Sequence, residues 1–315
     1  MNTRPALIMG DGAAPADVVE FNRRFAQRLS SFRGIHTTHL DDERARREAG
    51  EGVFGEYRIV QTAREQVING RSGDISVRII EAKEPRGVYL HFHGGGWVFG
   101  AAHHYDEQNL FLAENCNLTT MSVNYRLAPE NPFPAAPDDC EDVACWLIEE
   151  GAQSLNAERL YIGGDSAGAH LAVMTLLKAR DRYRRMPFSA ANLLYGFYDL
   201  ALSPSARAWG ELNLPLSTES LEWYAQQFAG GRPLSDKALS PIHADLTGMP
   251  PAIFTVGTLD PLLDDTFLMA GRWISAGGRA SILPVAGGVH GFMQVNDLSI
   301  TSQTQRAVCE FLNHS

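Results

Sequence analysis

Five residues, Gly164-Asp165-Ser166-Ala167-Gly168, carry the arrangement in this chain best suited to chemistry. An apolar run, Arg159-Leu160-Tyr161-Ile162-Gly163, reads as a buried strand before them, and His170 to Leu177 reads as a helix after them. A serine framed by glycines between strand and helix can stand at the apex of a strained turn with its hydroxyl exposed, because no side chain at the flanking positions meets the neighbouring elements. The helix N-terminus beside it favours developing negative charge. Those are the needs of a nucleophile that attacks a carbonyl carbon. Short matches of this kind also occur in plain strand-to-helix turns, so its context must decide.

Two further sites supply the remaining parts. His91-Phe92-His93-Gly94-Gly95-Gly96-Trp97 follows the strand that starts at Val88, and its successive glycines let main-chain N–H groups turn toward a ligand oxygen. With the N–H of Ala167 they would make an oxyanion-binding site. Asp260 follows the strand Ala252 to Gly257, and His290 lies in the loop Gly287 to Phe292 after the last strand. Both therefore fall at the C-terminal ends of strands, where open α/β sheets meet their ligands. Read singly, Asp260 is a helix cap before Pro261 and His290 a loop histidine. Together with Ser166 they stand in the chain order nucleophile, acid, base, each after its own strand. Asp199 is a rival acid, whereas Asp264 and Asp265 suit the N-terminus of their own helix. His91 and His93 share a strand face but have no nearby carboxylate or cysteine to complete a metal site, so neither a metal nor another cofactor is expected.

The elements that must position these residues follow from periodicity. Val18, Phe21, Phe25, Leu29 and Phe32 give residues 17–32 the apolar stripe of a helix, and Asp41 to Glu48 reads as a charged, solvated one. Alternation over Tyr57–Ile68 and Ile75–Ile80, around Asn69 to Asp74, predicts an antiparallel hairpin. From Val88 onward, short apolar runs alternate with helices, which predicts an α/β fold with a mostly parallel sheet of about eight strands. Strands are expected at 88–92, 118–124, 160–163, 191–195, 252–256 and 281–284, and helices near 105–114, 138–149, 167–180, 264–276 and 301–313. The stretch Leu202 to Asp236, with a helix at 218–228 closed by Gly230-Gly231, is too long for an ordinary loop. It and residues 1–50 are the two candidates for a helical cap over a catalytic domain spanning 51–315.

Composition narrows the partners. Of 315 residues, 44% are apolar and 20% charged, enough for a sizeable core, and a formal charge of -10 disfavours nucleic acid and anionic membranes. Cys116, Cys140, Cys145 and Cys309 match neither a redox pair nor a zinc pattern and are expected to be reduced core thiols. Met1 to Met9 has no apolar stretch of signal-peptide length, and the expected location is the cytoplasm. A small-molecule ester is the expected partner. Homodimerisation is left open.

These motifs together resemble the hormone-sensitive-lipase-like family of α/β-hydrolases, the bacterial family IV carboxylesterases. The resemblance lies in His93-Gly94-Gly95-Gly96-Trp97, Tyr125-Arg126-Leu127-Ala128-Pro129-Glu130, Gly164 to Gly168, Asp260-Pro261-Leu262 and His290-Gly291-Phe292, and runs from about Val88 to the C-terminus. It implies an α/β-hydrolase fold with a cap, Ser166 as nucleophile, His290 as base and Asp260 as its orienting acid. Gly95, Gly96 and Ala167 become oxyanion donors, with Gly94 kept because the choice among the glycines is open, and the Tyr125 to Glu130 segment is structural. One departure is Gly196, where the family commonly has proline. Trp97, Trp209 and Phe228, with Trp223 and Tyr224, are candidates for the wall of an acyl pocket, or else for packing of the cap. The implied activity is hydrolysis of short- to medium-chain acyl esters. Lactone or amide hydrolysis on the same residues, and a non-catalytic ligand receptor, are the alternatives.

Overall fold

A computed structural model describes residues 13–32, 34–35, 38–211 and 214–315; the Met1 to Met9 reading lies outside them. Two helices come first, α1 (Ala16–Leu29) and α2 (Leu40–Glu48). Strands β1 (Arg64–Gly70) and β2 (Gly73–Ile80) then form the antiparallel hairpin, with Gly70 opposite Gly73. It is shorter than the alternation implied. Residues 57–63 leave the sheet because their polar groups are taken by the next layer: Val60 donates its N–H to Asp106 Oδ2 at 2.8 Å, and Arg78 Nη2 donates to the Val60 carbonyl.

The remaining strands are β3 (Gly87–Phe92), β4 (Leu118–Val123), β5 (Leu160–Asp165), β6 (Ala190–Leu194), β7 (Ala252–Leu259) and β8 (Ala280–Val289). Their order is β1-β2-β4-β3-β5-β6-β7-β8, antiparallel at β1/β2 and β2/β4 and parallel elsewhere. All residues of β3, β4 and β5 are buried, which explains their unbroken apolar runs: both faces of this sheet are covered.

The period of two sorts the side chains by face. Val88, Leu90, Phe92, Ile162 and Phe254 pack with α4 (Ala135–Trp146), α6 (Ala167–Tyr183) and α9 (Leu263–Ser275), as Trp273 shows by meeting Phe254 edge-on at 5.4 Å. A π-helical turn carries α4 into the short α5 (Ala152–Ser154). Tyr89, Tyr161 and Ile253 point the other way, against α3 (Asp106–Cys116) and α10 (Ser299–Asn313). There the thiol expectation needs correction. Cys116 at the end of α3 and Cys309 on α10 are joined as a disulfide, and only Cys140 and Cys145 are free and buried. The partners are 193 residues apart, and only the docking of α10 on α3 brings them together. Among the described residues no helix is long and apolar enough to cross a membrane.

The 202–236 stretch holds two helices, α7 (Pro204–Ala208), which periodicity did not reveal, and α8 (Thr218–Ala229). Ser217 caps α8 by accepting the Ser220 N–H, and Gly230 ends it in the left-handed region. The paired acids of α9 do more than stabilise their own helix. Asp264 Oδ2 accepts the Ser205 N–H at the start of α7, and Asp265 Oδ1 accepts the N–H groups of Tyr198 and Asp199 at 2.7 and 2.9 Å. These bonds fasten the chain after β6 to the helix after β7.

Asp265 is fully buried. Burial, reinforced by the Asp199 charge, pushes its carboxyl up to about 7 against the hydrogen bonds it receives. The folded chain thus holds a proton that the unfolded chain releases between about pH 4 and about pH 7, so this group favours folding less as pH rises through that window. Asp265→Asn keeps an acceptor for both amides and cannot ionise. Its melting temperature relative to the parent is expected to climb from about pH 5 to about pH 8 in thermal unfolding; a difference independent of pH would refute the assignment.

Candidate active site

The site is assembled where β5 meets α6. Ser166 has φ 55° and ψ -118°, a left-handed backbone that a serine adopts only under constraint, and its N–H donates to the Leu194 carbonyl at 2.8 Å. The constraint comes from close approach of three chain segments. A Cβ on Gly168 would run into the Phe92 carbonyl of β3, so α6 can begin directly against that strand only if the residue is glycine.

From this turn the Ser166 hydroxyl lies 2.9 Å from His290 Nε2, and His290 Nδ1 lies 2.9 Å from Asp260 Oδ2. Asp260 is 1% exposed, and its other oxygen accepts the Leu262 N–H at 2.8 Å. A carboxylate has no proton to give here, so Nδ1 carries the hydrogen and Nε2 presents its lone pair to the serine. His290 projects from the chain just beyond β8, and its ring meets Tyr195 edge-on at 5.0 Å. Asp199, the rival acid, accepts the N–H of Ala201 and lies near His243, not His290.

Gly94, Gly95, Gly96 and Ala167 line the same cleft as Ser166 and His290. The structure separates the glycines. The Gly94 N–H is taken by the Tyr105 hydroxyl at 3.1 Å, whereas those of Gly95 and Gly96 meet no intramolecular acceptor among the described residues. Ala167 opens α6, where a helix leaves its first N–H groups without intrahelical partners. Gly96 has φ 63°, and a Cβ there would strike the Tyr224 ring.

A neutral scaffold fixes this loop. Tyr125 donates its hydroxyl to the His93 carbonyl at 2.7 Å, and the two rings stack at 4.1 Å. His93 Nδ1 donates to the Gly94 carbonyl at 2.8 Å, and burial pushes its imidazole down to about 3. The phenols of Tyr105 and Tyr125 are raised well above their ordinary range by burial, the Asp165 charge contributing to both. His91 bonds Ser122 Oγ through Nδ1, so the two strand histidines have separate structural partners. Arg126 is paired with Asp139 and Glu130 with Arg44, which accounts for the Tyr125 to Glu130 segment as a brace.

Of the proposed wall residues, Trp97 borders the cleft, yet its side chain is fully buried and stacks on Phe228 at 4.5 Å. Phe228 and Trp209 do not line the cleft. Phe228 packs between Trp97, Phe133 and His170, and Trp209 Nε1 donates to the Leu216 carbonyl. At Gly196 the ring of Tyr198 occupies the space a Cβ would need, which fits the departure from proline. The cleft wall is formed by Phe197, Leu216, Leu221 and Tyr224 on one side and by Arg47, Phe54 and Tyr57 from the N-terminal segment. Sequence reading overlooked most of these. Leu221 and Tyr224 sit three apart on α8, a spacing that marks a shared helix face but not what it covers.

A family model for the alpha/beta hydrolase fold matches residues 89–294. An arylesterase of Saccharolobus solfataricus is 31% identical over 213 residues, 66% of this chain and 68% of the relative. Esterase LipI of Mycobacterium tuberculosis is 31% identical over 279 residues, 84% and 83% of the two chains. The solved structure of a hyperthermophilic esterase from the archaeon Pyrobaculum calidifontis aligns with a TM-score of 0.85 at 26% identity, covering 96% of this chain and 99% of that one. An esterase from the bacterial hormone-sensitive lipase family aligns with a TM-score of 0.81, also at 26% identity and with coverage of 96% and 99%. With its fold, its motif set and these relatives in agreement, the chain belongs to the α/β-hydrolases, within their hormone-sensitive-lipase-like carboxylesterases.

Proposed function

We propose that the protein is a serine esterase that cleaves small acyl esters through an acyl-enzyme. The observation that carries this reading is the pair of 2.9 Å hydrogen bonds placing His290 between the Ser166 hydroxyl and the buried Asp260 carboxylate. His290 Nε2 takes the serine proton as Oγ attacks the ester carbonyl. Asp260, accepting from Nδ1–H, stabilises the imidazolium and holds the ring in the tautomer that can act as base. The imidazolium then protonates the departing alcohol, and the neutral ring activates the water that releases the acid.

Negative charge develops on the carbonyl oxygen in both steps. The N–H groups of Gly95, Gly96 and Ala167 are the donors assigned to it, and because their backbone is already fixed they need little rearrangement as that charge appears. Gly94, with its N–H committed to Tyr105, is assigned a supporting role. Tyr105 thereby becomes a positioning residue for the loop.

The cleft bears on substrate size. Its cavity volume is about 90 Å³, below the several hundred that house larger ligands, and Leu216, Leu221 and Tyr224 are among its lining residues. This supports short acyl groups. Helices α1 and α2 with the α7–α8 stretch are assigned as a cap that keeps water from the acyl-enzyme.

Two measurements test this. Ser166→Ala is expected to lower kcat on p-nitrophenyl acetate by roughly 10³-fold or more and to abolish labelling by a fluorophosphonate; undiminished turnover would remove the serine from the mechanism. In a p-nitrophenyl ester series the parent's kcat/KM is expected to be highest at acetate to butyrate and to fall toward decanoate, and a maximum at the long esters would overturn the size argument.

A further inference from the structure

Among the described residues, one cluster of side chains of metal-ligating type adjoins the cleft, His104 lining it, without belonging to the catalytic groups just described. Glu48 ends α2, and His103 and His104 belong to the 3₁₀ turn Ala102–Tyr105 that follows the glycine loop. His103 Nε2 lies 3.0 Å from Glu48 Oε1, and His104 Nε2 lies 3.1 Å from Glu48 Oε2. One ligand atom from each residue falls within 4.8 Å of the others. Three donors from two separate segments thus converge on one point.

The positions are built rather than incidental. His104 has only 6% of its side chain exposed and stacks on Tyr57 at 3.8 Å. The turn carrying both histidines is anchored by the Ala102 N–H donating to Asn124 Oδ1 and by the His104 N–H donating to the Ala101 carbonyl. Glu48 is 61% exposed, so an ion can reach the site from solvent. Glu56 lines the same open cleft as Glu48 and His103, adding negative potential. Of the nearby cations, Arg78 is held by Asp106 and Glu65, and Arg47 by Glu43.

We propose that Glu48, His103 and His104 bind a divalent transition metal of the zinc class, with solvent at the remaining position, and that the ion clamps α2 onto the segment behind the oxyanion loop. A tetrahedral ion with ligand distances of about 2.0–2.2 Å sets its ligand atoms about 3.4 Å apart, so each nitrogen separates from its carboxylate oxygen by a few tenths of an ångström and all three ligand atoms, now within 4.8 Å of one another, adjust to that common spacing. Two imidazoles and a carboxylate are a ligand set that zinc accepts, and the open position is compatible with partial exposure. In the ion's absence the same groups form a hydrogen-bonded contact, both imidazoles donating to one carboxylate. Metal binding would replace that contact.

The test uses the untagged full chain, stripped with a chelator and titrated with ZnCl₂ by calorimetry. The expected result is one site, weakened by about tenfold or more in His103→Ala and in Glu48→Gln, and retained in His290→Ala. Cobalt(II) at the same site is expected to give the visible absorption of a tetrahedral ion, and zinc to slow amide exchange across residues 40–48. Absence of stoichiometric binding, equal binding by the parent and His103→Ala, or loss of binding in His290→Ala would each overturn the site. Binding with unchanged exchange in residues 40–48 would overturn the clamp.

Discussion

The constraint on which the rest depends is the left-handed backbone at Ser166. That conformation is unfavourable for a serine, and it persists because β3, β5 and the start of α6 are packed too closely for the turn to relax. Its consequences spread outward in order. The Ser166 N–H is tied to β6 through Leu194, the hydroxyl is directed at His290, and the Ala167 N–H is left at the open end of α6. Stability of the parallel sheet is thus used to hold one torsion angle in a region that would otherwise empty.

Around that turn several buried polar groups are held neutral, with the buried Asp165 carboxylate beside them. His93 is deprotonated by burial and the phenols of Tyr105 and Tyr125 stay protonated, so the loop carrying Gly94 to Gly96 is fastened by uncharged hydrogen bonds. The carboxylate of Asp260, by contrast, is held by His290 and the Leu262 N–H. An acid oriented behind the histidine and a glycine loop held by uncharged hydrogen bonds are the arrangement that the proposed ester hydrolysis would use.

Features read well from sequence were those set by local spacing or by burial on both faces. The Gly164 to Gly168 turn, the glycine run and all six strands from Val88 onward fall into this group, as do the positions of Asp260 and His290 after their strands. What escaped depends on docking between distant segments. Residues 57–63 alternate like a strand but lose their partner to Asp106, and Cys116 finds Cys309 only after α10 packs. Trp209 and Phe228 looked like wall residues because aromatics near a site suit both roles, yet packing claimed them while Arg47 and Tyr57 entered from the N-terminal segment. Asp264 and Asp265 read as helix acids, and the turn they fasten after β6 is invisible to any local pattern.

The sequence of α2, Leu-Asp-Asp-Glu-Arg-Ala-Arg-Arg-Glu, fully buries only Glu43, and beside the partial packing of Leu40 and of Arg47 over Phe99 the helix is attached by polar contacts, Arg44 to Glu130 and to the carbonyls of Val98 and Ala128, and Glu48 to His103 and His104. With so little apolar surface involved, its detachment exposes little hydrocarbon and carries little of the heat-capacity signature of unfolding. Exposed charge contacts of this sort are screened by mobile ions over a Debye length of about 8 Å at physiological strength. The Arg44–Glu130 pairing is therefore the part of this helix's attachment that ionic strength weakens, while the apolar packing of the sheet is left untouched.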